Sequence, residues 1–313
     1  MAGHSSTGAR IGLVLGAGGP VAHAFHCGIL HGLAEATGWD PRTAALVVGT
    51  SAGAQVAALL RAGISAADLA GRATGAALSP AGAALAQHYV RPNHSEPHPD
   101  HPWRLRPAAP GYLVRAITRP WRVRLDALIA AALPSGRVSL QSQADGFGRL
   151  FGDAWPSEPL WIPSLCIDTG ELVIFGRAGA PHIDVGTAVI ASGAVPALCI
   201  PVDVQDKRYV DGGLLSPTNA TVLENTALDL VLISAPLSCM APLRFLLRRE
   251  LRQLRRNGIV AVAIEPSLPV RKIIGWNVMD TERAPAVTHA ARESVAEMLR
   301  QPALRDALRR LGA

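Results

Sequence analysis

The stretch AALVVGTSAGAQVAALL, residues 44–60, decides the fold. Ala44 to Val48 is a short apolar run without polar alternation, which predicts a strand buried on both faces. Ala52 to Leu60 has the composition of a helix. Between them lies Gly49-Thr50-Ser51-Ala52-Gly53, a G-x-S-x-G pattern in a strand-turn-helix setting. On such a cramped turn, side chains at the flanking positions would clash, so glycine is needed there. The Ser51 hydroxyl then projects above a helix N-terminus, whose positive end favours developing negative charge.

The same grammar appears upstream. Ile11 to Leu15 (IGLVL) reads as a buried strand, Gly16-Ala17-Gly18-Gly19 as a tight turn, and Val21 to Ala36 as a helix. Strand-turn-helix repeated twice predicts a parallel sheet covered by helices. The glycine turn has three readings. Its N–H groups can face an oxyanion beside Ser51, cradle a nucleotide phosphate, or simply turn the chain. The dinucleotide pattern G-x-G-x-x-G fails because Val21 stands where the third glycine belongs, although Glu35 and Asp40 fall roughly where a ribose-binding acid is expected.

Downstream, Trp121 to Ala132 and Leu140 to Phe151 read as helices, and Trp161 to Ile167 with Glu171 to Phe175 as a hairpin. Asp184 to Ser192 reads as a helix, and Arg208 to Val210 as a strand stub before Asp211-Gly212-Gly213. Leu228 to Ile233 and Ile259 to Ile264 are strands, separated by a helix over Leu243 to Arg256; a last helix spans Ala284 to Leu299. Asp211 admits a bland reading as a turn residue. It also fits a general base delivered from a strand end to a serine at the carboxyl edge of the sheet.

Which group activates Ser51? The common hydrolase order places a histidine after the serine. His88, His94, His98, His101, His182 and His289 follow, and none has a recognisable setting. That fold also places three strands before or at the nucleophile, where this sequence has two.

In order along the chain, GLVLGAGG, GTSAG, ASGAVP (Ala191 to Pro196) and YVDGG followed by SPTNA (Tyr209 to Ala220) resemble the patatin-like phospholipases. The likeness runs from Ile11 to about Glu265. It implies a three-layer α/β/α sandwich with a mostly parallel sheet and a serine–aspartate dyad without histidine. On this chain the resemblance implies Ser51 as nucleophile and Asp211 as base. Gly16, Gly18 and Gly19 would form the oxyanion loop, Gly49 and Gly53 would shape the nucleophile turn, and Gly212 and Gly213 would follow the base. It implies no cofactor and no metal ion. The partner would be a phospholipid or another acyl lipid rather than nucleic acid, met by peripheral contact with a membrane. One departure stands out: many members carry Arg or Lys shortly after the glycine loop, whereas this chain has Pro20-Val21-Ala22. A catalytically weak lipid- or acyl-binding protein on the same fold is therefore the alternative.

Composition agrees with a sizeable core. Apolar residues make up 49% of 313 residues, charged residues 17%, and the net charge is +6. That excess suits an anionic surface. Four cysteines (Cys27, Cys166, Cys199, Cys239) form no CxxC pair, which argues against a zinc site or disulfide framework and suits a cytoplasmic protein. The apolar run near the N-terminus is too short for a signal peptide. The uncharged stretches Thr43 to Leu60 and Val185 to Val202 break into shorter elements and are not read as membrane spans. Residues 1–10 are expected as a flexible tail and 11–313 as one α/β domain with a Pro/His-rich loop or lid insertion at about 85–120. Within it, His94, His98 and His101 match no standard metal spacing. Asp168-Thr169-Gly170 spells the aspartic-protease triplet once only, where that chemistry needs two carboxylates. The helix over Leu243 to Arg256 alternates a leucine stripe with arginines, and packing on the sheet is the favoured reading.

Overall fold

Apolar runs form the central strands because both sides of the sheet are covered. The computed structural model describes residues 9–88, 107–118, 125–300 and 305–306. In chain order the elements are β1 (Ile11–Leu15), α1 (Gly19–Thr37), β2 (Leu46–Gly49), α2 (Ala52–Arg61), α3 (Ala66–Thr74), α4 (Pro80–Ala86), α5 (Pro110–Thr118), α6 (Leu125–Ala132) and α7 (Gln141–Phe151). There follow β3 (Leu160–Cys166), β4 (Glu171–Phe175), α8 (Val185–Gly193), β5 (Val202–Val204), β6 (Lys207–Asp211), β7 (Leu230–Ser234), α9 (Ala241–Arg256), β8 (Val260–Ile264), α10 (Leu268–Ile274) and α11 (Ala284–Met298).

The sheet has eight strands in the order β5-β6-β3-β2-β1-β7-β8, with β4 paired to β3. β1 pairs in parallel with β2 and β7, β7 with β8, and β2 with the first residues of β3. Beyond them β3 runs antiparallel to β4 and β6, and β6 to β5. Alternate residues feed two cores, as strand geometry requires. Leu13, Leu15, Val47, Leu230 and Leu232 pack in one core with α1, α2 and α11. Val14, Val48, Val231 and Ile233 pack in the other with Leu247 and Leu254 of α9. This is the three-layer α/β/α sandwich expected.

α1 and α11 approach closely through two glycines. A Cβ at Gly28 would lie 2.3 Å from the Thr288 carbonyl oxygen, and one at Gly32 would lie 2.7 Å from Val295 Cγ2. The leucine stripe of α9 is explained by packing, since Leu247 and Leu254 are buried. Asp168-Thr169-Gly170 is the turn of the β3–β4 hairpin, with Asp168 ion-paired to Arg208. Sequence reading passed over α3, α4, α10 and β5, which are short. Of the insertion expected at about 85–120, residues 89–106 and 119–120 lie outside the described residues, and so do His94, His98 and His101. Within that span Pro110 begins α5. No helix among the described residues is long and apolar enough to cross a membrane.

Candidate active site

Ser51 sits where β2 turns into α2, with φ 56° and ψ −121°. A left-handed φ in a non-glycine residue is strained and persists only where surrounding structure enforces it. That structure is visible. Thr50 N–H donates to the Leu15 carbonyl at 3.0 Å, and Gly53 N–H donates to the Thr50 carbonyl at 2.9 Å. Gly53 lies so near β1 that a Cβ would sit 2.0 Å from the Leu15 carbonyl oxygen. A Cβ on Gly49 would sit 2.5 Å from the Gly53 carbonyl oxygen. Ser51 N–H donates to Ser192 Oγ at 3.0 Å, and Ser192 Oγ–H in turn donates to the Pro163 carbonyl at 2.7 Å.

Asp211 ends β6 and reaches the same edge. Its N–H donates to the Ala194 carbonyl at 2.9 Å, and its Oδ1 accepts the Gly213 N–H at 2.7 Å. Gly212 packs on β3, where a Cβ would lie 2.5 Å from the Pro163 carbonyl oxygen. Ser51 and Asp211 are each only 6% exposed, and the Ser51 side chain lies near enough to the Asp211 carboxylate to favour its ionised form. Burial pushes Asp211 up to about 6; the nearby Ser51 side chain and the Gly213 N–H pull the other way.

The glycine loop closes the third side. A Cβ on Gly213 would lie 2.8 Å from Ala17 Cβ, so the Asp211 turn abuts this loop. Gly18 and Gly19 have φ 143° and 64°, left-handed values that suit glycine. Gly16, Gly18 and Gly19, expected together in the oxyanion loop, differ in where their N–H groups go. Gly16 N–H is committed to the Ser234 carbonyl at 3.0 Å, and Ala17 N–H to the Pro217 carbonyl at 2.7 Å. Gly18, Gly19 and Ala52 N–H groups make no hydrogen bond among the described residues. The first residues of a helix have no intrahelical acceptor, which leaves Gly19 and Ala52 as free donors at the N-termini of α1 and α2.

Three residues that sequence reading did not single out support this arrangement. Asn219 Nδ2 donates to the Ser216 carbonyl at 2.7 Å and to Thr50 Oγ1 and the Gly212 carbonyl at 3.2 Å each. One amide thus joins the Ser51 turn to the Asp211 turn. Glu250 of α9, buried, accepts from Ser216 Oγ at 2.8 Å and from Thr218 Oγ1, anchoring the loop that carries Asn219. Its signal was a lone acid on the buried side of an arginine-rich helix. His26 of α1 is fully buried, with Nε2 2.8 Å from the Gly16 carbonyl oxygen and Nδ1 2.7 Å from Ser234 Oγ. A carbonyl only accepts, so Nε2 carries the proton and Nδ1 accepts from the serine. Burial lowers His26 to about 4, so the ring is neutral and holds the glycine loop from below.

Residues 13–224 match the sequence profile of the patatin-like phospholipases. The chain belongs to the patatin-like phospholipase family. Ser51 and Asp211 both lie within the matched span. No curated protein matches the chain. Among solved structures, VipD from Legionella pneumophila is similar at 14% identity and TM-score 0.44, over 93% of this chain and 66% of that one. The type III effector protein ExoU is similar at 20% identity and TM-score 0.40, over 94% of this chain and 53% of that one. The chain thus spans 66% of the first protein's length and 53% of the second's.

Proposed function

We propose that this patatin-like phospholipase hydrolyses carboxylic esters of phospholipids or related acyl lipids through a Ser51–Asp211 dyad. The observation that carries the reading is the meeting of a serine on a strained turn with a buried carboxylate raised to about 6. A carboxylate in that range is a stronger base than an ordinary aspartate, yet is ionised at neutral pH.

Ser51 Oγ attacks the ester carbonyl carbon while its proton passes to Asp211. The carbonyl oxygen becomes an oxyanion, met by N–H groups of Gly18, Gly19 and Ala52. The intermediate collapses, the C–O bond to the alcohol breaks, and the alcohol leaves with the proton from Asp211. Water then attacks the acyl-serine as Asp211 takes its proton. Collapse of the second intermediate frees the fatty acid and returns the proton to Ser51. Apolar residues at Pro20-Val21-Ala22 leave the oxyanion to backbone donors. The same departure is what favours the second reading, a lipid-binding protein with little turnover.

The test measures p-nitrophenyl ester and phospholipid hydrolysis by wild type, Ser51→Ala and Asp211→Asn. Each variant is expected to fold and to lose at least about 10³-fold in kcat/KM. Wild-type kcat/KM should rise with pH through about 6 as Asp211 ionises. Full hydrolysis by folded Ser51→Ala protein would sink the dyad. Failure of a fluorophosphonate probe to label Ser51 would favour the binding protein.

A further inference from the structure

The segment after β8 presents an outer face that the fold leaves bare. α10 buries Val270 and Ile274 in the core. On its other side Leu268 is 71% exposed, and Lys272 follows four residues on, the spacing that puts both on one side of a helix. Two residues past the helix, Trp276 is 96% exposed. Isolated apolar residues on a surface are ordinary; a tryptophan and a leucine bracketing one short helix are a docking feature.

The backbone beneath is fixed. Arg283 Nη1 donates to the Ile273 and Ile274 carbonyls at 3.2 and 3.3 Å, and its Nε donates to Asp280 at 2.7 Å. Val21 N–H donates to the Val278 carbonyl at 3.3 Å. Gly275, at φ 64°, turns the chain outward to Trp276. The inner side of the segment meets the glycine loop. A Cβ on Gly19 would lie 2.9 Å from both Val278 O and Met279 Sδ. One continuous segment therefore touches the glycine loop at Gly19 and holds two large apolar side chains out to solvent.

Charge selects the occupant. Leu268 to Met279 contains Arg271 and Lys272 and no acid. The nearest acids on either side are paired, Glu265 with Arg244 at 3.1 Å and Asp280 with Arg283. A second copy would bring these cations against their own kind. Tryptophan and leucine beside cations suit the boundary between headgroups and acyl chains of an anionic bilayer.

We propose that Leu268–Met279 docks the protein on an anionic phospholipid surface, with Leu268 and Trp276 entering the headgroup boundary and Lys272 facing lipid phosphates. The proposal rests on the lipid-hydrolase reading for its purpose, while the binding itself needs no turnover.

The experiment uses the 313-residue Ser51→Ala protein and phosphatidylcholine vesicles with and without phosphatidylglycerol. The parent should co-sediment with the anionic vesicles and shift its tryptophan emission to the blue. Joint Leu268→Ser and Trp276→Ser substitution should lower the partition coefficient about tenfold or more, from the apolar area no longer buried. Lys272→Glu should lower it several-fold on anionic vesicles only, an effect that high salt removes. Lys207→Glu, an exposed charge change on β6, should bind as the parent does, and thermal melting should be unchanged in all variants. Absence of vesicle binding by the parent overturns the proposal. So does undiminished binding by the Leu268→Ser, Trp276→Ser protein, or loss of a dimer in that protein with vesicle binding intact. Trp276-dependent binding without any ester hydrolysis by wild type would reject the hydrolase and keep the docking face. Soluble-ester hydrolysis with binding indifferent to Trp276 would do the reverse.

Discussion

The turn that carries Ser51 and the turn that carries Asp211 meet at one edge of the sheet, but they are built in opposite ways. The serine turn is largely local. Gly49, Thr50 and Gly53 shape it, and its outside support is chiefly the backbone of β1, the adjacent strand. The aspartate turn is assembled from a distance. Ala194 after α8 holds its backbone, Pro163 of β3 packs on Gly212, and Asn219 ties it to Thr50. One strained backbone geometry is something a short motif can encode. A buried carboxylate needs an environment, which only the tertiary fold supplies.

The contrast predicts its largest effect at Gly53. A methyl group there would meet the carbonyl group of Leu15, with 2.0 Å to the oxygen and 2.5 Å to the carbon. Neither is the end of a flexible side chain, so α2 must move off β1. Gly53→Ala should lose at least about 3 kcal/mol in denaturant titration despite the better helix propensity of alanine. An unchanged midpoint would show that the serine turn is not set by this contact.

The same contrast explains what could be read in advance. β1, β2, β7 and β8 were legible as unalternating apolar runs, because a strand buried on both faces has no polar side. The G-x-S-x-G turn was legible because steric exclusion acts between residues four apart. Asp211 read in isolation fitted either a turn aspartate or a base delivered from a strand end; the family likeness favoured the second. Neither the commitment of Gly16 N–H to Ser234 nor the free state of Gly18 and Gly19 N–H could be seen, since hydrogen bonding across β1 and β7 leaves no local signature. His26 looked like one more residue of an apolar helix, and its role depends on a serine 208 positions away.

Two buried titrating groups sharpen the comparison. His26, ordinarily 6.5, falls to about 4, so between those values the unfolded chain binds a proton that the folded one does not. Its contribution is lost as pH falls through that window. Asp211, ordinarily 3.8, rises to about 6, so over nearly the same window the folded chain holds the extra proton and stability falls as pH rises. From pH 4 to 6 the two slopes oppose and nearly cancel. Asp211→Asn removes one of them. Its stability relative to wild type should climb by about 1.4 kcal/mol per pH unit, or about 2.7 kcal/mol over those two units. Above pH 6 the variant should be the more stable protein, an inactive enzyme freed of a buried charge. Parallel stability curves for the two proteins would mean that Asp211 does not titrate in this range.

The smallest effect expected lies where the two turns share a support. Ser192 Oγ accepts the Ser51 N–H and passes the bond on to the Pro163 carbonyl, two residues from the strand position that pairs across from Val210. Ser192→Ala leaves a buried N–H without a partner at a residue whose φ is already strained. The cost should be about 1–2 kcal/mol. Because the lost bond orients the Ser51 backbone and touches no substrate, kcat should fall several-fold with KM little changed if Ser51 attacks the ester. Ser192→Thr keeps the hydroxyl and should restore much of the rate. If alanine and threonine proved equally active, the elbow would need no help from α8, and the serine turn would be more self-sufficient than its hydrogen bonds indicate.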